Sequence, residues 1–315
     1  RAIKIIPAGS QTFSKGVTQF VEGFSPKYLD HGKGAYVWDV DDNKYLDYIM
    51  GCHPIILGHA DPDVNAAVVR QLEKGTTFSL MNELEVNVTE LLINAIPCAE
   101  MVRFGKNGSD ATSGAVRLAR AFTGRDRVAV CGYHGWQDWY IGSTSRNLGV
   151  PKAVQELTHS FKFNDLDTLH KLLKSQQGEF ACIVMEAMNT EEPSPNFLRG
   201  VQALAREHGA VFILDETITG FRFSKGGAQE LFNITPDLAT FGKGLSNGYP
   251  LSAIAGRADI MGLMEDIFFS FTMGSETLSL AAAKATLEKI NREPVIEQLK
   301  ENGNRVISGV KECIT

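Results

Sequence analysis

Short apolar runs alternate with longer amphipathic stretches over most of the chain, most regularly after about residue 100. The short runs are typical of buried strands, and the longer stretches show the spacing of apolar residues found in helices. The predicted strands are Met101–Phe104, Val128–Cys131, Ala181–Glu186, Ala210–Asp215, Leu238–Phe241 and Ala253–Ala255. The predicted helices cover 63–74, 84–95, 110–122, 165–174, 197–208, 277–291 and 295–312. This alternation indicates an α/β fold with a mostly parallel sheet covered on both faces.

The N-terminal part of the chain predicts irregular structure up to about residue 34, followed by a β-hairpin. Its strands would be Ala35–Val40 and Lys44–Met50, joined by a polar turn. Asp39 and Asp41 resemble the start of a calcium-binding loop, but Lys44 stands where such a loop requires glycine. We therefore interpret these acidic residues as part of the turn.

Composition and charge narrow the class of protein. The 315 residues are 43% hydrophobic and 22% charged, as in ordinary globular proteins, and their net charge of -6 with a pI near 5.7 disfavours nucleic-acid binding. No apolar run approaches the roughly 18 residues of a membrane span. The five cysteines show no C-x-x-C spacing, so we expect reduced thiols in a cytoplasmic protein and neither disulfides nor a zinc site.

The segment Asn107–Asp110 stands between a predicted strand and a predicted helix. Gly108 would let a ligand approach the backbone, and Ser109 with the free amides of the first helical turn could bind a phosphate. A plain N-cap explains Ser109 and Asp110 equally well, since both residue types favour helix starts. The segment matches neither the G-x-G-x-x-G fingerprint nor a P-loop, which disfavours dinucleotides and nucleoside triphosphates as ligands.

Two charged residues follow apolar strands. Asp215 ends a buried strand, where a carboxylate can cap a loop, bind a metal or pair with a protonated ring nitrogen. Further metal ligands at fixed spacing are not evident, so we predict no metal site. Lys243 lies between Gly242 and Gly244 after an apolar run. Most lysines are solvated surface groups, but an apolar setting would lower the pKa of this amine, as a nucleophilic lysine requires.

An aromatic ring and an imidazole, Tyr133 and His134, follow the strand Val128–Cys131. They form either a packed loop or a wall that stacks on a flat ligand. A phosphate cradle, a stacking ring, a carboxylate and a lysine together suit pyridoxal phosphate, which requires a lysine at its aldehyde and an acid at its pyridine nitrogen. The acid keeps that nitrogen protonated, so the ring can accept the electrons of a substrate carbanion.

Several segments resemble the class III aminotransferases of fold type I, and among them the glutamate-1-semialdehyde aminomutase branch. The resembling segments are Gly34–Asp39, Gly58–Val64, Met101–Phe104, Arg117–Arg125, Asp215–Arg222 and Thr235–Lys243. The last two are the most specific. The resemblance implies a three-layer αβα sandwich with part of a smaller α+β domain. It implies residues 1–65 as an N-terminal segment with dimer contacts, 66–292 as the cofactor domain, and 293–315 as the start of a C-terminal small domain whose remainder is absent.

The same resemblance implies a role for each candidate residue. Lys243 would hold the cofactor as an internal aldimine and later move protons, while Asp215 would pair with the pyridine nitrogen. The other implied cofactor contacts are Gly108, Ser109, Asp110, Tyr133, His134, Glu186, Thr217 and Thr272. Thr272 would reach the phosphate of the neighbouring subunit, which implies a homodimer with active sites at its interface.

The implied activity is amino transfer from an amine or amino-acid donor to an aldehyde or keto acceptor. The aminomutase reaction, another pyridoxal-phosphate reaction such as decarboxylation, and a non-catalytic relative stay open as alternatives. Thr217 replaces an apolar residue of the family, and we expect its methyl group to pack against the ring. Thr12–Gly16 and the pair Cys52 and His53 depart from the aminomutase pattern at positions that bear on substrate specificity.

Overall fold

The computed structural model describes residues 1–188 and 190–314. The strands in this part of the chain are β1 (Leu29–Lys33), β2 (Tyr36–Asp39), β3 (Lys44–Leu46), β4 (Met101–Gly105), β5 (Arg127–Cys131), β6 (Thr158–Ser160), β7 (Phe180–Glu186), β8 (Val211–Asp215), β9 (Leu238–Phe241) and β10 (Ser252–Gly256). The α-helices are α1 (Ala2–Ile5), α2 (Pro62–Leu72), α3 (Glu83–Ala95), α4 (Gly108–Thr123), α5 (Asp138–Ile141), α6 (Lys152–Gln155), α7 (Leu166–Ser175), α8 (Phe197–Glu207), α9 (Gly227–Leu231), α10 (Ala258–Met261), α11 (Thr277–Arg292) and α12 (Val295–Ile314). Short 3-10 helices cover Pro7–Gly9, Phe13–Lys15, Val17–Gln19, Lys243–Ser246 and Gly262–Glu265.

The central sheet has seven strands in the order β4-β10-β9-β8-β7-β5-β6. The strands from β9 to β6 run parallel to their neighbours, and β10 runs antiparallel to both β9 and β4. Every residue of β7, β8, β9 and β10 is buried, as expected of strands covered on both faces. The predicted mostly parallel sheet is therefore confirmed.

Two layers of helices cover this sheet, because alternate residues of a strand point to opposite faces. In β7, Cys182 and Val184 pack in one cluster with α4, whereas Ile183 and Met185 pack in another with α7 and α8. A third cluster joins β9 and β10 to α3 and α11. The result is a three-layer arrangement in which the carboxyl ends of β5, β7, β8 and β9 share one edge.

The N-terminal region forms a separate antiparallel sheet of β1, β2 and β3. The predicted hairpin is present, with shorter strands than expected. Its turn is closed by Asp39, whose carboxylate accepts hydrogen bonds from the Asp41 and Asn43 amides and from the Tyr45 hydroxyl. Desolvation opposes ionisation, but these hydrogen bonds lower the pKa of Asp39 to about 2. The carboxylate is used within the turn, which agrees with our interpretation of the acidic residues.

The structure differs from the sequence predictions in two strands, in one helix start and in several short helices that were not predicted, namely α1, α5, α6, α9 and α10. β1 was expected to be irregular, because most of its side chains are exposed and no apolar alternation marks it. β6 has three residues of mixed polarity and was not predicted. The helix α4 begins at Gly108 rather than at residue 110, because Asn107 is its N-cap and forms a capping box with Asp110.

The chain between the two sheets is tied to the central sheet near residue 247. The Asn247 side chain accepts a hydrogen bond from the Leu57 amide (2.9 Å) and donates one to the Gly58 carbonyl (3.1 Å). Lys289 of α11 forms an ion pair with Asp61 at 2.7 Å. α2 crosses the domain boundary predicted at residue 65, and the domain division stays a prediction. Among the described residues, no helix has the length and apolar character needed to cross a membrane.

Candidate active site

Asp215 and Lys243 lie at the same edge of the sheet, on neighbouring parallel strands. Asp215 ends β8 and pairs in register with Thr240 of β9, and Lys243 follows β9 directly. Lys243 has a left-handed backbone with φ of 38°, an uncommon conformation for a residue with a side chain. This geometry turns the chain sharply after β9, so that the lysine stands at the strand end.

The Asp215 carboxylate is almost fully buried and receives four hydrogen bonds. Oδ1 accepts from the Thr217 amide (3.1 Å), the Thr217 hydroxyl (2.6 Å) and the Thr240 hydroxyl (2.9 Å). Oδ2 lies 2.8 Å from His134 Nδ1. Burial acts to raise the pKa of Asp215, but the bonds from His134 and Thr217 outweigh it and hold the pKa below its usual value. The carboxylate is therefore ionised at neutral pH.

His134 is buried and bonded at both ring nitrogens. Its Nε2 lies 3.1 Å from the carbonyl oxygen of Cys131, and its Nδ1 lies 2.8 Å from Asp215 Oδ2. The ring therefore joins the Asp215 carboxylate to the end of β5. The contact with His134 fixes the orientation of the carboxylate and, together with the bonds from Thr217, favours its negative form.

The Lys243 amine lies in a setting that favours its neutral form. Burial lowers its pKa most strongly, while the carboxylates of Asp215 and Glu186 act in the opposite direction. The positive charge of Arg222 adds to the lowering. An amine with a lowered pKa loses its proton readily and can act as a nucleophile.

The start of α4 forms a cradle with the chain that precedes Lys243. A Cβ atom on Gly108 would stand 3.0 Å from Thr217 Cγ2, and one on Gly242 would stand 3.4 Å from the same methyl group. The two glycine backbones and this methyl group therefore meet without room for further side chains. The Ser109 hydroxyl lies 3.4 Å from the Trp136 amide, at the edge of the same cradle. Free amides at the start of a helix are suited to bind a phosphate.

Asp110 has a structural place in this cradle. Its Oδ2 accepts hydrogen bonds from the Asn107 amide at 2.8 Å and from the Lys106 amide at 3.1 Å. The carboxylate thus closes the first turn of α4. The Asp110 carboxylate is bonded to these backbone amides, so it stabilises the cradle and does not itself attract a phosphate.

Tyr133 and Glu186 form the wall on the other side of Asp215. The Tyr133 ring is 58% exposed and meets Tyr140 edge to face, which leaves a ring surface free for a ligand. The Tyr133 amide donates to Glu186 Oε2 at 3.0 Å. Glu186 itself is buried, so it fixes the position of the Tyr133 backbone.

Thr272 is the one predicted contact that the structure does not join to this group. Its side chain is exposed and makes no hydrogen bond to the described residues. The nearby ion pair between Lys106 and Glu276, at 3.1 Å, ties the start of α11 to the chain just before the cradle. The implied role of Thr272 in a neighbouring subunit stays a prediction.

Two site residues were missed by sequence reasoning. Thr240 supports Asp215 through its hydroxyl, which only the pairing of β8 with β9 makes visible. Arg222 acts on Lys243 from the loop after β8. The presence of this arginine in the segment Asp215–Arg222 was the feature of the sequence that could have identified it as a site residue. Within residues 1–188 and 190–314, no group of three possible metal ligands is found.

Comparison with known proteins shows the family to which the chain belongs. A sequence model of the family described as "Aminotransferase class-III" matches residues 22–314. A 3-aminobutyryl-CoA aminotransferase of Cloacimonas acidaminovorans (strain Evry) is 36% identical over 321 residues, covering 99% of this chain and 77% of the relative. A glutamate-1-semialdehyde 2,1-aminomutase of Roseiflexus castenholzii is 39% identical over 337 residues, with the same coverage.

Solved structures show the same similarity. The PLP internal aldimine form of the FumI protein of Sphingopyxis sp. MTA144 has a TM-score of 0.93 and 29% identity, covering 99% of this chain and 76% of that protein. An omega-transaminase of Sphaerobacter thermophilus has a TM-score of 0.83 and 29% identity, covering 92% and 71%.

Proposed function

Because the chain belongs to the class III aminotransferases, which are pyridoxal-phosphate enzymes, we propose that Lys243 and Asp215 are the residues with which it performs amino transfer. The reaction moves an amino group from an amine or amino-acid donor to an aldehyde or keto acceptor. One observation carries the assignment. The buried, ionised Asp215 is in register with the strand that leads into Lys243, whose pKa is lowered.

The described residues suit the parts of the cofactor. The amides at Gly108 and Ser109 would hold the phosphate, since they lie in the first turn of α4 and residue 108 has no side chain to cover them. Asp215 would accept the hydrogen of the pyridine nitrogen on Oδ2, which has a single protein partner. Tyr133 and the Thr217 methyl group would contact the two faces of the ring. Lys243 Nζ would bind the aldehyde carbon.

The chain then supplies charge and proton transfer. When bound, pyridoxal phosphate provides the carbon to which the donor amine binds and a ring that accepts the electrons of its Cα–H bond. The Asp215 carboxylate, kept negative by His134, holds the ring nitrogen protonated. The Lys243 amine would take the proton from the donor carbon and return a proton, since burial lowers the pKa of the amine and so favours its neutral form.

Lys243→Ala tests this assignment. The variant should lose the visible absorbance of the lysine-bound cofactor, and its amino transfer should fall by at least about 10³-fold, since no other group replaces the amine. Lys284→Ala, in which an exposed lysine of α11 is removed, serves as the matched control and should keep both properties. If Lys243→Ala retains the absorbance and the activity, the lysine has been assigned wrongly.

The aminomutase reaction is the second candidate, because an aminomutase is among the relatives that cover 99% of the chain. It would use the same residues on a single substrate. Incubation of the purified enzyme with glutamate-1-semialdehyde alone distinguishes the two reactions. Formation of 5-aminolevulinate without a separate amino donor supports the mutase, and a requirement for a donor rules it out.

We further propose a homodimer in which Thr272 reaches the partner's phosphate site, and a cytoplasmic location. Exposed apolar side chains beside Thr272, among them Phe271 (36% exposed) and Met273 (53% exposed), support a covered surface. Sedimentation equilibrium of the wild type and of Thr272→Ala, combined with cofactor titration, tests this arrangement. A monomer that binds the cofactor with unchanged affinity would contradict it.

A further inference from the structure

Arg222 is a half-buried arginine that is bonded only to backbone carbonyls. Its Nε donates to the Ile218 carbonyl at 3.0 Å, and its Nη2 donates to the His53 carbonyl. Within the described residues, its Nη1 makes no hydrogen bond and no carboxylate forms an ion pair with it. A guanidinium is planar and always charged, and its paired N–H groups match the two oxygens of a carboxylate.

The charge of Arg222 is thus uncompensated within this part of the chain. Burial lowers the pKa of Arg222, and no carboxylate of residues 1–188 and 190–314 forms an ion pair with it. A partly buried charge without a counter-ion is destabilising, so a partner from outside the chain would be favoured there.

Arg222 also lies beside the proposed reaction centre. Its charge acts on both Lys243 and His53. The loop that carries it touches the chain next to Lys243, since the Gly220 carbonyl is 3.4 Å from the place of a Cβ atom on Gly244. Asp215 forms its bonds with His134, Thr217 and Thr240, and it forms no ion pair with Arg222.

We propose that Arg222 binds a carboxylate of the substrate, and that the enzyme acts on amino acids and their keto or aldehyde acids in preference to simple amines. This assignment rests on the proposed function of Lys243. It names the class of substrate that the site selects. The hydrogen bond to His53 holds the loop at 50–53, where four successive residues have positive φ, around the same guanidinium.

Matched pairs of amino donors test the proposal. Each amino acid is compared with the amine that lacks its carboxylate, in the half-reaction with the pyridoxal-phosphate-loaded enzyme. The pairs are 4-aminobutanoate with 1-aminopropane, and 3-aminobutanoate with 2-aminopropane. The wild type should prefer the acid. Arg222→Gln should reduce kcat/KM for the acid relative to the amine by about 10- to 100-fold, the usual effect of losing a charged hydrogen-bond partner. Arg206→Gln, on the exposed face of α8, is the control for loss of charge and should leave this ratio unchanged.

A binding measurement keeps the test independent of turnover. Titration calorimetry of the loaded enzyme with butanoate, which has no amine, should show binding that Arg222→Gln weakens by at least about tenfold and that Arg222→Lys partly restores.

If the acid-to-amine ratio and butanoate binding are unchanged in Arg222→Gln, the assignment of Arg222 is overturned. If acid and amine fall equally and butanoate binding is retained, Arg222 only holds the loop, and the proposal is equally overturned. If the wild type transfers an amino group from none of the donors, the proposed function is refuted instead. The butanoate result would still decide the role of Arg222.

Discussion

His134 and Asp215 form a buried pair that contributes both to the stability of the fold and to the proposed binding of the cofactor. Asp215 is 3% exposed and His134 is 2% exposed, so the carboxylate is shielded from water and depends on protein groups such as His134 for its hydrogen bonds. Because the pKa of Asp215 is lowered in the folded protein, this pair stabilises the fold at pH values above the ordinary aspartate pKa of about 3.9. That stabilisation is lost as the pH falls through the lower, folded-state pKa.

His134→Phe should therefore destabilise the cofactor-free protein. The free energy of unfolding at pH 7 should fall by about 3–5 kcal/mol, because Asp215 is left as a buried charge without its partner. The difference between variant and wild type should shrink below about pH 4, where Asp215 becomes protonated in the variant. Urea unfolding at both pH values measures this effect, with His170→Phe of α7 as the control. Equal stability of His134→Phe and wild type at pH 7 would show that the contact with His134 does not stabilise the Asp215 carboxylate.

Thr217 has two functional parts, a hydroxyl group that bonds Asp215 and a methyl group that faces Gly108. Thr217→Val keeps the methyl group, and Thr217→Ser keeps the hydroxyl group. If the methyl group contacts the ring, as proposed, the valine variant should keep cofactor affinity within about threefold, at a loss of about 1–3 kcal/mol in the free energy of unfolding. The serine variant should bind the cofactor more weakly, as absorbance titration would show. The reverse order would mean that the hydroxyl group is the cofactor contact.

At the scale of elements, the start of α4 is the most constrained part of the site. The capping box of Asn107 and Asp110 sets the first turn, and the absence of a side chain at Gly108 lets Thr217 and Gly242 approach it. The helix thus serves both the packing of the sheet and the proposed phosphate site.

Gly108→Ala should separate these two uses. An added Cβ atom would stand 3.0 Å from Thr217 Cγ2 and intrude on the cradle, so the dissociation constant of pyridoxal phosphate should rise by at least about tenfold. The far-ultraviolet circular dichroism should not change, since alanine favours helices. Gly303→Ala in α12, where nothing lies within 4 Å, is the matched control and should leave cofactor affinity unaltered. Unchanged affinity in Gly108→Ala would place the phosphate elsewhere.

At the scale of the whole molecule, the likeness to solved transaminases confirms the predicted fold type I architecture. In this arrangement the site draws on distant parts of the chain. Asn247 holds Leu57 and Gly58 beside the chain that follows the lysine, and Arg222 bonds the His53 carbonyl in the loop at 50–53. The side-chain amide of Asn247 is therefore one of the links that couple the N-terminal region to the site.

Asn247→Gly tests this coupling. Glycine accepts the left-handed backbone of residue 247, with its φ of 47°, so the substitution removes the amide without backbone strain. Hydrogen exchange at 50–58 should become faster, by roughly 1–2 kcal/mol in local opening free energy, and amino transfer should fall. Asn233→Gly is matched in backbone conformation, with φ of 49°, and should show neither change. Unaltered exchange in Asn247→Gly would mean that other contacts hold the segment.

The amino-acid sequence by itself determined the class of sheet, most strands and helices, and the segments that carry Asp215 and Lys243. These features depend on local periodicity and on residues close together in the chain, which a reading along the chain can detect. Only the tertiary structure decided that β10 lies between β4 and β9, that His134 pairs with Asp215, and that the charge of Arg222 acts on Lys243. Each of these facts joins residues far apart in the chain, and whether a charge is paired or exposed depends on which distant strands and loops pack around it.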